Sequence, residues 1–294
     1  MQVLLFGGTR FFGRRLAVQL MEKGHRLTIV TRGQAEDGLG PEVERIRADR
    51  ADHAALDDVL RGRQFDLVYD QICYTPREAK AALDALGDRV RRYVFTSSMS
   101  VYGPQEAMIG EEAFAPESHR YDLQAEQYTY AEGKRQAEAY FFRHAPCPVV
   151  AARVSMVISG TDDYTGRFDF HVANVAKDEP IGVDQEEQDI TFVTAWDAAD
   201  FLFLLGSSPY AGPINVGNGC MSAQAISRSI GAALGKEPRF VVTDSDDPRR
   251  SPYVIGGTLR CSLSRAREIG YSFPPLAPQL PKMTLESAMR LGLR

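Results

Sequence analysis

The sequence predicts an α/β protein, a doubly wound parallel sheet carrying a smaller C-terminal α/β lobe. Three observations lead there. Apolar runs of strand length alternate with stretches of helical period through the first half of the chain, the pattern of right-handed βαβ units in a sheet covered on both faces. A glycine-rich turn follows the first apolar run directly. Beyond about residue 155 the alternation yields to an irregular stretch rich in Gly and Asp, then resumes in a different rhythm. Size and composition agree. The 294 residues, 44% hydrophobic and 25% charged, suit a globular chain with a sizeable core and an appended lobe. They exclude a disordered, collagen-like or membrane-spanning chain.

The elements follow in order. Val3–Phe6 reads as the first strand and Arg14–Glu22 as the first helix. Arg26–Thr31 and Val43–Ala48 are the next strands, with a helix at Ala54–Leu60. Phe65–Tyr69 is a strand, Glu78–Leu86 a helix and Tyr93–Thr96 a strand. A long polar loop leads to helical character over Glu126–His144 and a strand at Pro148–Val154. After the irregular Ser155–Asp189 come a strand (Ile190–Thr194), a helix (Asp197–Leu205), a strand (Pro213–Val216) and a helix (Ala223–Leu234). The proline-rich tail from Lys236 holds one strong helix start at Thr284–Glu286, ahead of an apolar stripe. Residues 1–155 are expected to form the nucleotide-binding domain, with contributions from about 190–217. Residues 156–294 are expected to form an interleaved substrate lobe over the carboxyl ends of the strands, where open α/β sheets bind ligands.

Charge and cysteines narrow the class. A formal net charge of −5 argues against a general nucleic-acid binder. Cys73, Cys147, Cys220 and Cys261 lie far apart without a CxxC pair, which suits reduced thiols rather than a disulfide frame or zinc site. The five histidines show no metal spacing, and no metal is expected. Val3–Phe6 is too short for a signal segment and lacks a basic leader, so a cytoplasmic location is expected.

The turn Gly7-Gly8-Thr9-Arg10-Phe11-Phe12-Gly13 joins the first strand to the first helix. Gly7 permits a tight turn, Gly13 permits close helix–strand packing, and the helix N-terminus directs free N–H groups at a pyrophosphate. A plain strand–helix connection is the bland alternative, and a second strand near residue 30 favours the Rossmann-like, dinucleotide-binding one. The second strand ends Val30-Thr31-Arg32-Gly33 without a carboxylate. An NAD site places Asp or Glu there, and an NADP site an Arg. With Arg10 in the turn, the sequence favours NADP(H) over NAD(H), through guanidinium–phosphate pairing. Arg32 as a solvated loop residue is the alternative.

Tyr130 and Lys134 lie four residues apart, on one helix face. Upstream, Thr96-Ser97-Ser98 closes a strand at the mouth of the cofactor crevice. Alone, Ser98 reads as a turn cap and Tyr130 as an exposed helix residue. In chain order behind a nucleotide turn, the three read as a site.

Together Gly7-Gly8-Thr9-x-Phe11-Phe12-Gly13, Thr96-Ser97-Ser98-x-Ser100-Val101-Tyr102-Gly103 and Tyr130-x-x-x-Lys134 resemble the extended short-chain dehydrogenase/reductases, the group of NAD-dependent epimerases and dehydratases. Phe192-Val193-x-x-x-Asp197-x-Ala199 and Ile214-Asn215-Val216-Gly217 extend the resemblance along the chain. Within the group, Gly-Gly-Thr-Arg-Phe is similar to a branch that includes chloroplast RNA-binding proteins and uncharacterised bacterial epimerase-like proteins. The resemblance implies hydride transfer. Tyr130 would be the general acid or base, Lys134 would lower the tyrosine pKa and hold the nicotinamide ribose, and Ser98 would hydrogen-bond the reacting oxygen. It also implies cofactor contacts from Gly7, Thr9, Arg10, Phe11, Phe12, Gly13, Arg32, Asp49, Ile72, Cys73, Thr96, Tyr130 and Lys134, and substrate contacts from Ser98, Ser100, Tyr130 and Arg167.

Departures from the pattern matter too. Arg10 stands where the group has its middle glycine. Ile190-Thr191 stand where many epimerases carry Arg-Asp, and Arg167 stands where an asparagine is usual. These weaken a nucleotide-sugar substrate, although Arg167 would restore phosphate binding. Asp49 is expected either at the adenine or capping the next helix. Cys73 is expected as a buried packing residue and His171 as a helix residue of the substrate lobe. Glu106, Glu111, Glu112 and Glu117 are expected to form a solvated acidic flap. Met99 and Ser100 leave no carboxylate beside Ser98, which argues against dehydration. The leading expectation is an NAD(P)-dependent oxidoreductase or epimerase acting on a sugar-like small molecule. A reductase of a non-sugar carbonyl is the second, and a catalytically quiet RNA-binding protein the third. A homodimer pairing through Glu78–Leu86 and Glu126–His144 is the oligomer the resemblance implies.

Overall fold

The computed structural model describes residues 1–34 and 36–294. The chain begins β1 (Gln2–Phe6), α1 (Phe11–Glu22), β2 (Arg26–Thr31), β3 (Glu44–Arg47), α2 (His53–Leu60), β4 (Leu67–Asp70), α3 (Pro76–Leu86) and β5 (Tyr93–Ser98). Next come β6 (Gln105–Ile109), α4 (Tyr130–His144), β7 (Val149–Val154), β8 (Met156–Ile158), α5 (Arg167–Ala176), β9 (Pro180–Val183) and β10 (Ile190–Thr194). The remainder is α6 (Ala195–Ser207), β11 (Gly212–Val216), β12 (Gly219–Met221), α7 (Ala223–Leu234), β13 (Arg239–Val242), β14 (Leu259–Cys261), α8 (Ser264–Glu268) and α9 (Leu280–Arg290).

Seven strands form one parallel sheet in the order β11-β7-β5-β4-β1-β2-β3. Strand order reverses between β1 and β4, and the crevice beyond their carboxyl ends is where such a sheet takes a ligand. Alternation along β1 builds both layers of the core. Val3 and Leu5 pack with Leu16 and Leu20 of α1 and Phe201 and Leu202 of α6. Leu4 and Phe6 pack with Leu56 of α2, Ala82 of α3 and Phe141 of α4. A parallel strand covered on both faces must be apolar along its covered length, and Val3–Phe6 of β1 is.

The lobe is a mixed sheet, β12-β10-β14-β6 with β8 beside β10, and the pair β13-β9. Its own core gathers Phe192, Ile226, Tyr253 and Leu280. Two expected helix starts move by a full turn. The Glu126–His144 helix begins only at Tyr130, where Thr129 caps it by accepting the Glu132 N–H at 3.3 Å. The last helix begins at Leu280 with a proline in its first turn, and Thr284 donates back to the Leu280 carbonyl at 2.8 Å instead of capping. Among the described residues, no helix is long and apolar enough to cross a membrane.

Candidate functional site

A cleft of about 640 Å³ opens at the β1–β4 reversal, lined by the glycine turn, Thr31–Gln34, Ala48–Ala51, Gln71, Ile72, Tyr74, Glu78 and Tyr164. Gly7 and Gly8 hold φ of +93° and +82°, a region closed to most side chains, and they bend the chain so that α1 starts facing the cleft. Arg10 is the extended N-cap of α1 without a capping side-chain bond. Thr9, Phe11, Phe12 and Gly13 line the same wall. Phe11 lies in the left-handed region at φ +53°, and its ring meets Tyr164 edge-on at 5.6 Å.

Arg32 borders the cleft where β2 ends, and its carbonyl accepts from Arg47 Nε at 3.1 Å. Asp49 also borders the cleft and turns back on the Ala51 N–H at 2.9 Å. The cap of α2 falls to Asp52, which accepts the Ala55 N–H at 3.0 Å, so Asp49 is not the helix cap. Ile72 lines the cleft. Cys73 is fully buried, burial pushes its thiol up, and its carbonyl holds Lys134.

Beneath the wall lies a cluster that sequence reasoning missed. Buried Arg50 pairs with Asp70, donates to the Glu78 carbonyl at 2.9 Å and faces the Phe6 ring. Asp70 also accepts the Tyr93 hydroxyl at 2.7 Å. Arg50 Nε and Gln71 Nε2 are buried without a partner among the described residues. Unmet buried donors are costly unless a guest satisfies them. A phosphate- and hydroxyl-rich dinucleotide fits such a wall. The only local signals were Arg50 beside Asp49, and Gln71 and Tyr74 beside Ile72 and Cys73. Tyr164 gave no signal.

Next to Tyr74 of that wall, α4 presents Tyr130 and Lys134. The Lys134 ammonium is 1% exposed and donates to the carbonyls of Cys73 at 2.6 Å and Thr96 at 2.8 Å. Burial brings it down to about 8. Tyr130 is exposed. Ser98 accepts the Ser100 N–H at 3.2 Å, capping the short 3-10 turn Met99–Val101. Its hydroxyl nonetheless bears on the Tyr130 phenol. Ser100 Oγ is buried with no partner among the described residues. Arg167, at the start of α5, contacts the Met156 sulfur at 3.2 Å and carries its charge toward Tyr130.

One expectation is corrected here. Tyr130 was to have its pKa lowered by Lys134, but desolvation raises it, and the groups opposing that rise are Ser98 and Arg167. Lys134 directs its N–H groups at two backbone carbonyls instead. The acidic flap is corrected too. Glu111 is buried and accepts the Asn215 N–H at 2.8 Å, while Glu106, Glu112 and Glu117 are exposed. His171 is a buried helix residue between Ser227 at 2.8 Å and Ser251 at 2.9 Å, stacked on Tyr253. Among the described residues, no group of three His, Cys, Asp or Glu side chains is placed to hold a metal ion.

Comparison with known proteins agrees with this architecture. The dTDP-glucose 4,6-dehydratase of Bacillus anthracis, solved with NAD, superposes with a TM-score of 0.77 at 14% identity over 100% of both chains. The UDP-glucose 4-epimerase of Thermotoga maritima, solved with UDP-glucose, gives 0.77 at 17% identity, again over 100% of both. Identities this low establish the fold alone. The chloroplast stem-loop binding protein of 41 kDa b from Arabidopsis thaliana is 28% identical over 148 residues, covering 45% of this chain and 39% of that protein. The model of the NAD dependent epimerase/dehydratase family matches residues 3–217, from β1 through β11 and so across the glycine turn, Ser98, Tyr130 and Lys134, and the chain belongs to that family.

Proposed function

We propose that this chain is an NAD(P)-dependent oxidoreductase or epimerase that works by hydride transfer at a secondary alcohol or ketone of a sugar-like small molecule. One observation carries the reading. The Ser98 hydroxyl lies near the Tyr130 phenol next to Tyr74 of the cleft wall, with the buried ammonium of Lys134 beside them. A bound nicotinamide dinucleotide supplies the hydride donor or acceptor. Ser98 donates a hydrogen bond to the substrate oxygen, and Tyr130 exchanges a proton with it. Lys134 holds the ribose, and Ser98 and Arg167 favour the phenolate that donation leaves. Arg167 and Ser100 are the proposed substrate contacts.

The cofactor is NADP(H) on this reading, with NAD(H) the alternative. Arg10 and Arg32 border the cleft with no carboxylate paired to either among the described residues. A second reading, reduction of a non-sugar carbonyl, is favoured by Ile190 and Thr191. Both are buried in the lobe sheet, and neither offers a charge to a sugar diphosphate. The stem-loop binding relative suggests RNA binding as a third, and the net charge of −5 counts against it.

The test is to denature the purified full-length protein and identify any released nucleotide and its oxidation state. Retained NAD points to an epimerase that keeps its cofactor through turnover. An empty protein that binds added NADPH points to a reductase that exchanges it. A protein that neither retains nor binds a nicotinamide dinucleotide contradicts the proposal.

A further inference from the structure

Lys134 carries its charge without a carboxylate in contact. Beyond its two carbonyl partners, its surroundings are the rings of Tyr74 at 4.6 Å, Phe95 at 4.9 Å and Tyr130 at 5.9 Å. Tyr74 is the nearest. Phe95 is sealed inside β5, but Tyr74 is 43% exposed and lines the dinucleotide cleft. Its backbone is pinned. The Tyr74 N–H donates to Glu78 at 2.6 Å, and Gly133 of α4 packs so close that any side chain there would overlap the Tyr74 carbonyl oxygen.

Several charged or titratable groups surround the ammonium. They are Asp70 at the end of β4, Cys73 in the next loop, Glu78 on α3, Arg50 after β3, and the phenols of Tyr74 and Tyr130. Burial lowers the lysine most, and Arg50 adds to that, while Cys73, Asp70 and Glu78 push it back up. The ammonium is therefore poised to lose its proton just above neutral pH, and a π face beside it stabilises the charged form.

We propose that Tyr74 is a positioning residue, the face of its ring holding the Lys134 ammonium charged and fixed at the crevice. It thereby sets the upper pH at which the site binds its dinucleotide. The second half rests on the reading that Lys134 meets the cofactor ribose, so the experiment has two arms. In the first, the full chain is labelled with ¹³C at lysine and titrated by NMR. Lys134 is the only buried one of six lysines, so it is the signal that titrates near 8 and disappears in Lys134→Met.

The expected result is that Tyr74→Phe, which keeps the ring, stays within about 0.3 pH unit of wild type, whereas Tyr74→Leu falls by about one unit. Circular dichroism verifies that both variants are folded. A Tyr74→Leu midpoint equal to wild type overturns the proposal. So does a Tyr74→Phe variant that falls as far as Tyr74→Leu, because the hydroxyl and not the ring face would then matter. In the second arm, NADPH affinity is measured from pH 6 to 10, and its midpoint should move with that of the lysine in each variant. A lysine that shifts while NADPH binding does not leaves the ring's hold on Lys134 intact, but overturns its link to binding and the ribose role of Lys134.

Discussion

Lys134 and Glu138 lie one turn apart on the same face of α4, both buried, and the fold treats them oppositely. Glu138 is closed in. It accepts from Arg153 Nε at 3.1 Å and Nη2 at 2.7 Å and from the Ser97 hydroxyl. Arg153 spends its remaining donors on the Tyr102 hydroxyl at 2.8 Å and the carbonyls of Glu111 at 2.8 Å and Phe114 at 2.9 Å. That network ties the loop after β5 to β7 and asks for nothing more. Around the crevice that Lys134 serves, Ser100 Oγ, Gln71 Nε2 and Arg50 Nε are left without partners. A polar cluster that closes on itself is structural, whereas open buried donors on a cleft wall leave bonding capacity that a guest can take.

Substitutions on the two sides of this contrast should separate chemistry from folding. Tyr130→Phe removes the proton donor and keeps the ring. Turnover should fall about 10²–10⁴-fold, while thermal stability is unchanged and dinucleotide affinity stays within a few-fold. Wild-type turnover in that variant would end the role given to Tyr130. On the closed side, Glu138→Gln strands the Arg153 charge in the interior, which costs about 3–5 kcal/mol. Denaturant titration should reveal that loss, with NADPH affinity unaffected wherever the variant is folded. A fall in affinity without a fall in stability would erase the contrast.

A smaller effect tests the cleft rim. Arg32→Asp replaces a phosphate partner worth roughly 1.5–3 kcal/mol with a carboxylate that accepts ribose hydroxyls. Dissociation constants should favour NADP(H) in the wild type and NAD(H) in the variant. Tighter NAD(H) binding by the wild type would turn Arg10 to the pyrophosphate and Arg32 to solvent.

A separate effect, spread over pH, lies in the lobe, where burial lowers His171 to about 3 from an ordinary 6.5. A group with a depressed pKa that is neutral in the fold gains its proton only on unfolding. Stability should therefore fall as pH drops from about 6.5 toward 3, by up to ~1.4 kcal/mol per pH unit. Urea midpoints measured across that range check the slope, which His171→Gln should flatten. An equal slope in both proteins would assign the acid sensitivity elsewhere.

What the sequence made legible was local. The glycine turn, Ser98, and the Tyr130–Lys134 pair are each set by spacing along a single strand, turn or helix, and apolar runs alternating with helical stretches mark a parallel sheet covered on both faces. The remainder arises from contacts between distant segments. Arg50 finds Asp70 and Tyr93 across three strands, and Tyr74 meets Lys134 only because Gly133 lets two backbones touch. Tyr164 reaches Phe11 from the other lobe. Glu111 sits in an acidic run that reads as solvated until β11 offers it the Asn215 N–H. The Tyr130 phenol departs from its expected direction because desolvation raises it while Lys134 is claimed by the carbonyls of Cys73 and Thr96.

The central claim is that the crevice beside Lys134 is a nicotinamide-dinucleotide site read by that ammonium. It is tested most directly by following NADPH fluorescence on titration into the wild type, Tyr130→Phe and Lys134→Ala. The wild type should bind, Tyr130→Phe should bind within a few-fold of it, and Lys134→Ala should bind about tenfold or more weakly, the value of one charge-assisted contact. A wild type that does not bind NADPH or NADH, or a folded Lys134→Ala variant that binds as tightly as wild type, would contradict the claim.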